Sequence, residues 1–306
     1  MGIWTPAPRH IVLAVFLLSA LYVHLRGRVR FGLVRALTDF TVLLAPYNAL
    51  MYAFSKVRTS PFIDPGQFPE LAALGAHWRE IRDEAARLND EGFIRAAAGY
   101  TDMGFNSFFR TGWKRFYLKW YGVDMPSAQR MCPRTTELLN SIPNVKAAMF
   151  ASLPPGARLV RHRDPYAGSL RFHLGLITPN SDQCYIVVDG QRYFWRDGEA
   201  VMFDETYIHY AENTTALPRV ILFCDVERPL KSRAMTAINR WFARHVMKAS
   251  ATQNVEGEAI GALNRLFGGF YQLRLRAKQL KAWSRTTYYL LKWALLGGLF
   301  YLVFVA

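Results

Sequence analysis

The two ends of the chain constrain it most. Tyr288 to Ala306 reads YYLLKWALLGGLFYLVFVA, nineteen residues with a single charge at Lys292. A helix crossing the bilayer core needs about 20 apolar residues. Tyr288, Tyr289 and Trp293 suit an interfacial aromatic belt, and the long stem of Lys292 snorkels to the headgroups. Ile11 to Leu25, IVLAVFLLSALYVHL, is a second run broken only by Ser19 and His24. It is short, but Ile3, Trp4 and the neutral residues before Arg9 extend it. A cleaved signal peptide puts positive charge before its apolar run and small residues after it; here Arg26, Arg28 and Arg30 follow instead. The expectation is an N-terminal membrane anchor over 1–30 and a C-terminal transmembrane helix over 288–306, with a buried core helix as the bland alternative for the first. Arg274, Arg276, Lys278, Lys281 and Arg285 precede the last run. Basic flanks mark the cytoplasmic side, so the chain between the anchors is expected there.

Lys and Arg number 38 against 23 Asp and Glu, a net charge of +15, which calls for an anionic partner. No nucleic-acid motif accompanies the charge; membrane phospholipid is the expected partner, and nucleic acid is not. Cys132, Cys184 and Cys224 are too scattered for a disulfide framework or a thiolate zinc site, and fit a reducing compartment.

Between the ends the texture changes three times. Segment 31–142 reads as helical and interfacial, leading into a catalytic domain. In it, TVLLAPYNALMYAF is broken by Pro46 and Asn48 and suggests an interfacial or re-entrant hairpin. Leu71, Leu74, Trp78, Ile81 and Ala85 recur at helical spacing within 67–98. FNSFFRTGWKRFYLKWY interleaves aromatics with bases. A period of two from Trp113 puts Arg115, Tyr117 and Lys119 on one face, read as a half-buried strand with a solvated basic side or a surface for phosphate or sugar headgroups.

From 143 to 230 the pattern is β. Short Val, Ile, Phe and Tyr runs alternate with Pro154-Pro155-Gly156, Thr178-Pro179-Asn180, Asp189-Gly190 and Asp197-Gly198, a spacing typical of a sandwich or barrel. Asp189-Gly190 between CYIVV and QRYFW predicts a two-residue hairpin. In SLRFHLGLI, Arg171, His173 and Gly175 share one face and Leu170, Phe172, Leu174 and Leu176 the other. Segment 231–287 returns to basic amphipathic helix.

Three of the seven histidines, His162, His173 and His209, lie in the β region. His162-Arg163-Asp164 is an H-x-D on extended chain, where residues i and i+2 point the same way. His209 supplies a second imidazole. Two histidines and a carboxylate on a β-barrel match the facial triad of non-haem Fe(II) oxygenases, whose open positions take a bidentate 2-oxo acid and O₂. Such sites need a cation for the distal carboxylate, and Arg219 stands ten residues after His209. The competing reading makes His162 a surface residue among Arg158, Arg161 and Arg163, and His209 a satisfied barrel histidine.

Pro155-Gly156, His162, Arg171, His173 to Leu176, Gly198-Glu199, Phe203-Asp204, His209 and Arg219, with Cys132-Pro133 and Thr135 upstream, carry a resemblance. On these residues the stretch from about 100 to 230 resembles the aspartyl/asparaginyl β-hydroxylase family of Fe(II)/2-oxoglutarate dioxygenases. The apolar ends and GFNSFFRTGWKRFYLKWY extend the likeness to that family's bacterial inner-membrane branch, which hydroxylates lipid A. The resemblance implies a mainly β fold, a double-stranded β-helix (jelly-roll) core with flanking helices and N- and C-terminal transmembrane helices. It implies Fe(II) on His162, Asp164 and His209, with O₂ and 2-oxoglutarate as co-substrates. Arg219 would take the distal carboxylate, and Arg171 and His173 would add co-substrate contacts. It implies hydroxylation at C2 of a secondary acyl chain of lipid A or its acylated precursor. Family members acting on animal proteins lack an acid at the carboxylate position; Asp164 supplies one. A membrane-tethered hydroxylase of Asp or Asn side chains is the rival, sharing the triad but needing neither anchors nor a basic lipid-facing surface. A non-catalytic relic is the other, and the intact triad with Arg219 argues against it.

Overall fold

The structure is a computed structural model that describes residues 8–32, 35–36, 39–97 and 101–304. Ile3 and Trp4, expected to lengthen the first apolar run, lie outside them, as do the last two residues of the C-terminal run.

The β region forms eight strands: β3 (Val145–Leu153), β4 (Arg158–His162), β5 (Ser169–Ile177), β6 (Cys184–Val188), β7 (Gln191–Phe194), β8 (Ala200–Phe203), β9 (His209–Asn213) and β10 (Arg219–Glu227). Two earlier strands, β1 (Phe62–Ile63) and β2 (Lys114–Trp120), join them. One sheet runs β1-β8-β5-β10-β3-β2 and the other β4-β9-β6-β7, every pair antiparallel. The chain leaves the larger sheet after β3, β5 and β8 and returns at β5, β8 and β10. Eight strands shuttling between two facing sheets make a double-stranded β-helix, as expected.

Asp189 (φ 48°) and Gly190 (φ 84°) are both left-handed, as a two-residue hairpin between right-twisted strands requires. Gly175 has a packing role instead: a Cβ there would meet the Arg196 carbonyl oxygen at 2.0 Å.

Strand β5 is buried on both faces. Leu170, Phe172, Leu174 and Leu176 are buried, as are Arg171 and His173 on the other face. Helix α4 (Trp78–Asp90) packs against the strand with Ile81, Ala85 and Leu88 buried. Helix α3 (Ala72–Ala76) precedes it across a break at His77.

Strand β2 corrects the basic-face expectation. Arg115 is buried, its Nε donating to Asp102 at 3.0 Å, and Tyr117 donates to the same carboxylate at 3.2 Å. Helices α5 (Pro126–Met131) and α6 (Pro133–Asn140) follow it.

The helices carry the ends. Helix α1 (Pro8–Leu25) has a mean hydropathy of 1.5 and is almost wholly exposed along its apolar length. Among the described residues it is the one helix long and apolar enough to cross a membrane. Its last turns pack Val23 and Ala20 against helix α2 (Ala45–Ala53), with Met51, Tyr52, Ala167 and Leu230. Pro46 opens α2 rather than breaking it, since its missing N–H falls where no intrahelical partner exists. Asn48 is buried and donates to the Pro165 carbonyl at 2.8 Å, so this segment is a packed helix and not a hairpin in the interface. Helix α7 (Arg233–Phe242) packs on α2. Helix α8 (Ala262–Trp283) exposes Leu266, Phe270 and Leu273, and α9 (Arg285–Phe304) exposes Leu290, Leu291, Trp293 and Leu295.

Candidate metal centre

Strand β4 ends at His162 and β9 begins at His209, and the ladder registers the two opposite each other. Their ring centroids are 4.2 Å apart. Two residues on, the Asp164 N–H donates to the Glu205 carbonyl at 2.9 Å, which holds the acid beside the strand ends. Asp164 Oδ1 is 3.8 Å from His162 Nε2. The ligand atoms of His162, Asp164 and His209 lie within 4.8 Å of one another, close enough to converge on one ion.

The imidazoles are set up for ligation. His162 Nδ1 lies 2.7 Å from the Val160 carbonyl, and His209 Nδ1 lies 2.9 Å from that of Tyr207. A carbonyl only accepts, so each Nδ1 carries the proton and each Nε2 keeps its lone pair for a metal. Burial holds both rings below their ordinary range, His209 down to about 3. Both are therefore neutral at pH 7, as a metal ligand must be.

Burial pushes the Asp164 carboxyl up, and the Arg171 guanidinium with the two imidazoles outweighs it, so the acid stays below its ordinary range. Arg171 donates to Asp164 Oδ2 at 2.7 Å and sits 3.1 Å from Asp225 Oδ1. Arg171, expected against the co-substrate, lines the same cavity as the triad, and its guanidinium pairs with these two carboxylates. Behind it, burial pushes the Glu205 carboxyl up to about 8. Ser169 donates to Glu205 at 2.8 Å and Tyr121 to Asp225 at 2.8 Å.

His173 and Arg219 line the same cavity as the triad. Both ring nitrogens of His173 are buried without a hydrogen-bond partner. Its ring stacks on Phe223 with centroids 5.2 Å apart, and burial takes it well below its ordinary value. Arg219 is 2% exposed and has no ion pair among the described residues; its Nε is unpartnered. The guanidinium lies 4.3 Å above the Trp195 ring, and burial lowers its pKa to about 10. A buried cation without an anion is costly, and a bound carboxylate relieves that cost.

The sequence reading missed the remaining walls. Phe105, Phe108 and Trp113 close one side of the cavity, with the Phe108 ring 4.6 Å from His162. They come from the irregular chain before β2, where no periodicity marks them; their density of aromatics was the available signal. Two neutral imidazoles and a carboxylate converging on one point fit a non-haem Fe(II) centre. The orphaned His173 and the uncompensated Arg219 fit an acidic co-substrate beside it.

The sequence profile of the family described as Aspartyl/Asparaginyl beta-hydroxylase matches residues 75–229. The chain belongs to this family. An ornithine lipid ester-linked acyl 2-hydroxylase of Rhizobium tropici is 35% identical over 64% of this chain and 70% of its own length. The human aspartate beta-hydroxylase domain-containing protein 2 is 36% identical over 38% of this chain and 34% of its own. The human aspartyl/asparaginyl beta-hydroxylase is 25% identical over 58% of this chain and 24% of its own. The chain thus spans about a third or less of these two human relatives. A prolyl-4-hydroxylase of Pseudomonas putida superposes with a TM-score of 0.33 at 18% identity, covering 51% of this chain and 88% of its own. As a member of the β-hydroxylase family, the chain is a hydroxylase-type protein whose triad lies inside the matched region.

Proposed function

We propose that the chain is an Fe(II)- and 2-oxoglutarate-dependent hydroxylase of a membrane lipid, acting at C2 of a secondary acyl chain of lipid A or its acylated precursor. It would act at the cytoplasmic face of the inner membrane, held by α1 and by α9 as a second transmembrane helix. One observation carries the reading: the His162, Asp164 and His209 ligand atoms share an aromatic-walled cavity with an arginine that has no anion. The acyl substrate is supported by the Rhizobium tropici relative, whose name states acyl 2-hydroxylation, and by the apolar cavity walls.

His162, Asp164 and His209 would hold the iron. When bound, iron and 2-oxoglutarate supply oxidative decarboxylation coupled to insertion of one oxygen atom into a C–H bond. The protein does the rest. Arg171 keeps Asp164 ionised and turned toward the imidazoles. Arg219 pairs with the distal carboxylate of the co-substrate in a fork geometry that fixes its orientation. His173, neutral and unpartnered, offers a hydrogen bond to a polar group entering beside it. Phe105, Phe108 and Trp113 exclude water and present an apolar wall to an acyl chain.

Purified full-length protein given Fe(II), 2-oxoglutarate, O₂ and lipid A should release succinate in step with hydroxylated lipid. Coupled turnover on an Asp- or Asn-containing peptide and none on any acyl lipid would replace this reading with the protein-hydroxylase one.

A further inference from the structure

Away from the metal centre, a broad basin of about 1140 Å³, open solvent included, lies along α7 and the chain flanking it, with Lys56 beyond the end of α2. Lys56, Lys231, Arg233, Arg240, Arg244 and His245 line it. Five of these are formally charged at pH 7, and among the described residues the one acid ion-paired with them is Glu227, which takes Arg240 at 2.9 Å. Glu227 is shared with Lys146 at 2.8 Å. Lys56, Lys231, Arg233 and Arg244 form no ion pair among the described residues. Like charges gathered in one concavity repel unless an anion joins them.

The basin has a floor and an address. The Lys56 N–H donates to the Pro229 carbonyl and the Lys231 N–H to that of Phe54, both at 2.8 Å, so a short antiparallel bridge holds the backbones of the two lysines side by side. Trp241 stacks on His245 with centroids 4.9 Å apart, forming a rigid aromatic edge. Leu230 lines the basin and also belongs to the cluster that packs Val23 of α1. The basin therefore lies at the root of the apolar helix. Exposed Trp241, Ile238, Leu50 and Phe54, on α7 and α2 and their ends, give the same region an apolar surface.

We infer that this basin binds a phosphate group carried by a membrane lipid. A phosphate monoester offers nearly two negative charges and three acceptor oxygens to arginine forks and lysines. The root of α1 is where a headgroup would lie with its acyl chains in the leaflet. The lipid source rests on the lipid-hydroxylase reading; the phosphate chemistry stands without it.

The test is calorimetric titration of the full-length chain in detergent with dioctanoyl phosphatidic acid, dioctanoylglycerol and inorganic phosphate. The first two differ only by the phosphate. Phosphatidic acid should bind saturably, and at least about tenfold tighter than either of the others, as expected when several charge-assisted bonds are added. The double variant Lys231→Gln, Arg244→Gln should lose about tenfold for phosphatidic acid, while the double variant Arg158→Gln, Arg192→Gln, an equal charge change on β4 and β7, loses nothing. The single Lys231→Gln variant carries the same comparison if the double variant loses its fold. Equal affinity for dioctanoylglycerol, or a double variant that binds like the wild type, overturns the site. Inorganic phosphate as tight as phosphatidic acid overturns the lipid source. Uncoupled 2-oxoglutarate turnover, read on the same wild-type preparation, reports the enzyme reading separately. Phosphate selectivity without turnover keeps the basin and removes the hydroxylase; turnover without phosphate selectivity does the reverse.

Discussion

His162 and His209 each spend Nδ1 on a carbonyl two residues back, at Val160 and Tyr207, and this fixes which nitrogen is free. The same i to i−2 relation at both strand ends makes the pair symmetrical, and Asp164 supplies the charge. His209→Ala should abolish iron binding and succinate formation, because a triad missing an imidazole holds Fe(II) weakly. Metal analysis and succinate assay of the purified variant check this, and iron content equal to wild type would contradict it. Arg219 acts on a different partner. Arg219→Met removes the cation for the distal carboxylate at a cost of about 2–5 kcal/mol, typical of a broken buried charge pair. The 2-oxoglutarate KM should rise strongly while iron content stays as in wild type. An unchanged KM would move the role elsewhere. The H-x-D pattern and the later His and Arg were legible because strand geometry converts spacing into convergence. The engagement of Arg171 with Asp225 was not, because it needs β5 and β10 in register, and that pairing is a property of the sheet.

At the level of elements, turn chemistry made a sandwich or barrel readable and the family resemblance implied the jelly roll, while long-range ion pairs hid how its parts attach. Arg26, read as a basic flank, is buried: it pairs with Asp204 at 2.5 Å and lies over the Tyr52 and Tyr207 rings at 3.8 and 3.9 Å. Asp189, whose turn was anticipated, also accepts the backbone N–H groups of Arg28 and Val29 at 3.0 and 2.8 Å. Residues so far apart in sequence leave no local pattern. Together they bolt the end of α1 to the catalytic core. Asp204 also pairs with Arg228 at 2.9 Å. Burial raises its carboxyl, and Arg228 and Arg26 outweigh that, holding it at about 2 against an ordinary 3.8. Its folded pKa is thus depressed. The stabilisation, roughly 2 kcal/mol, is present above the unfolded value and is lost as pH falls through the folded one. Asp204→Asn leaves two buried arginines short of charge and should destabilise by about 3–5 kcal/mol near neutral pH. Thermal unfolding in detergent between pH 2 and 7 should show wild type converging on the variant only toward the acid end; a gap that does not shrink would contradict the ion-pair account.

For the whole molecule, both apolar runs form terminal helices, and among the described residues α1 is the one long and apolar enough to cross a membrane. With Arg26 neutralised by Asp204, the first flank rests on Arg28, Arg30 and Arg35, against five bases before Tyr288. Under the positive-inside rule the proposed orientation would still put both flanks in the cytoplasm. Reporter fusions after Arg30 and before Tyr288 should both report a cytoplasmic location, and a periplasmic signal from either would reverse the orientation. That placement would put the metal centre beside cytoplasmic 2-oxoglutarate and the basic basin beside the inner leaflet. The central claim is hydroxylation of an acyl lipid, and mass spectrometry of lipid A from cells with and without the chain tests it most directly. The account predicts one added oxygen atom on a secondary acyl chain, present with the wild-type chain and absent with His209→Ala. Identical lipid A spectra from cells with and without the chain would contradict it.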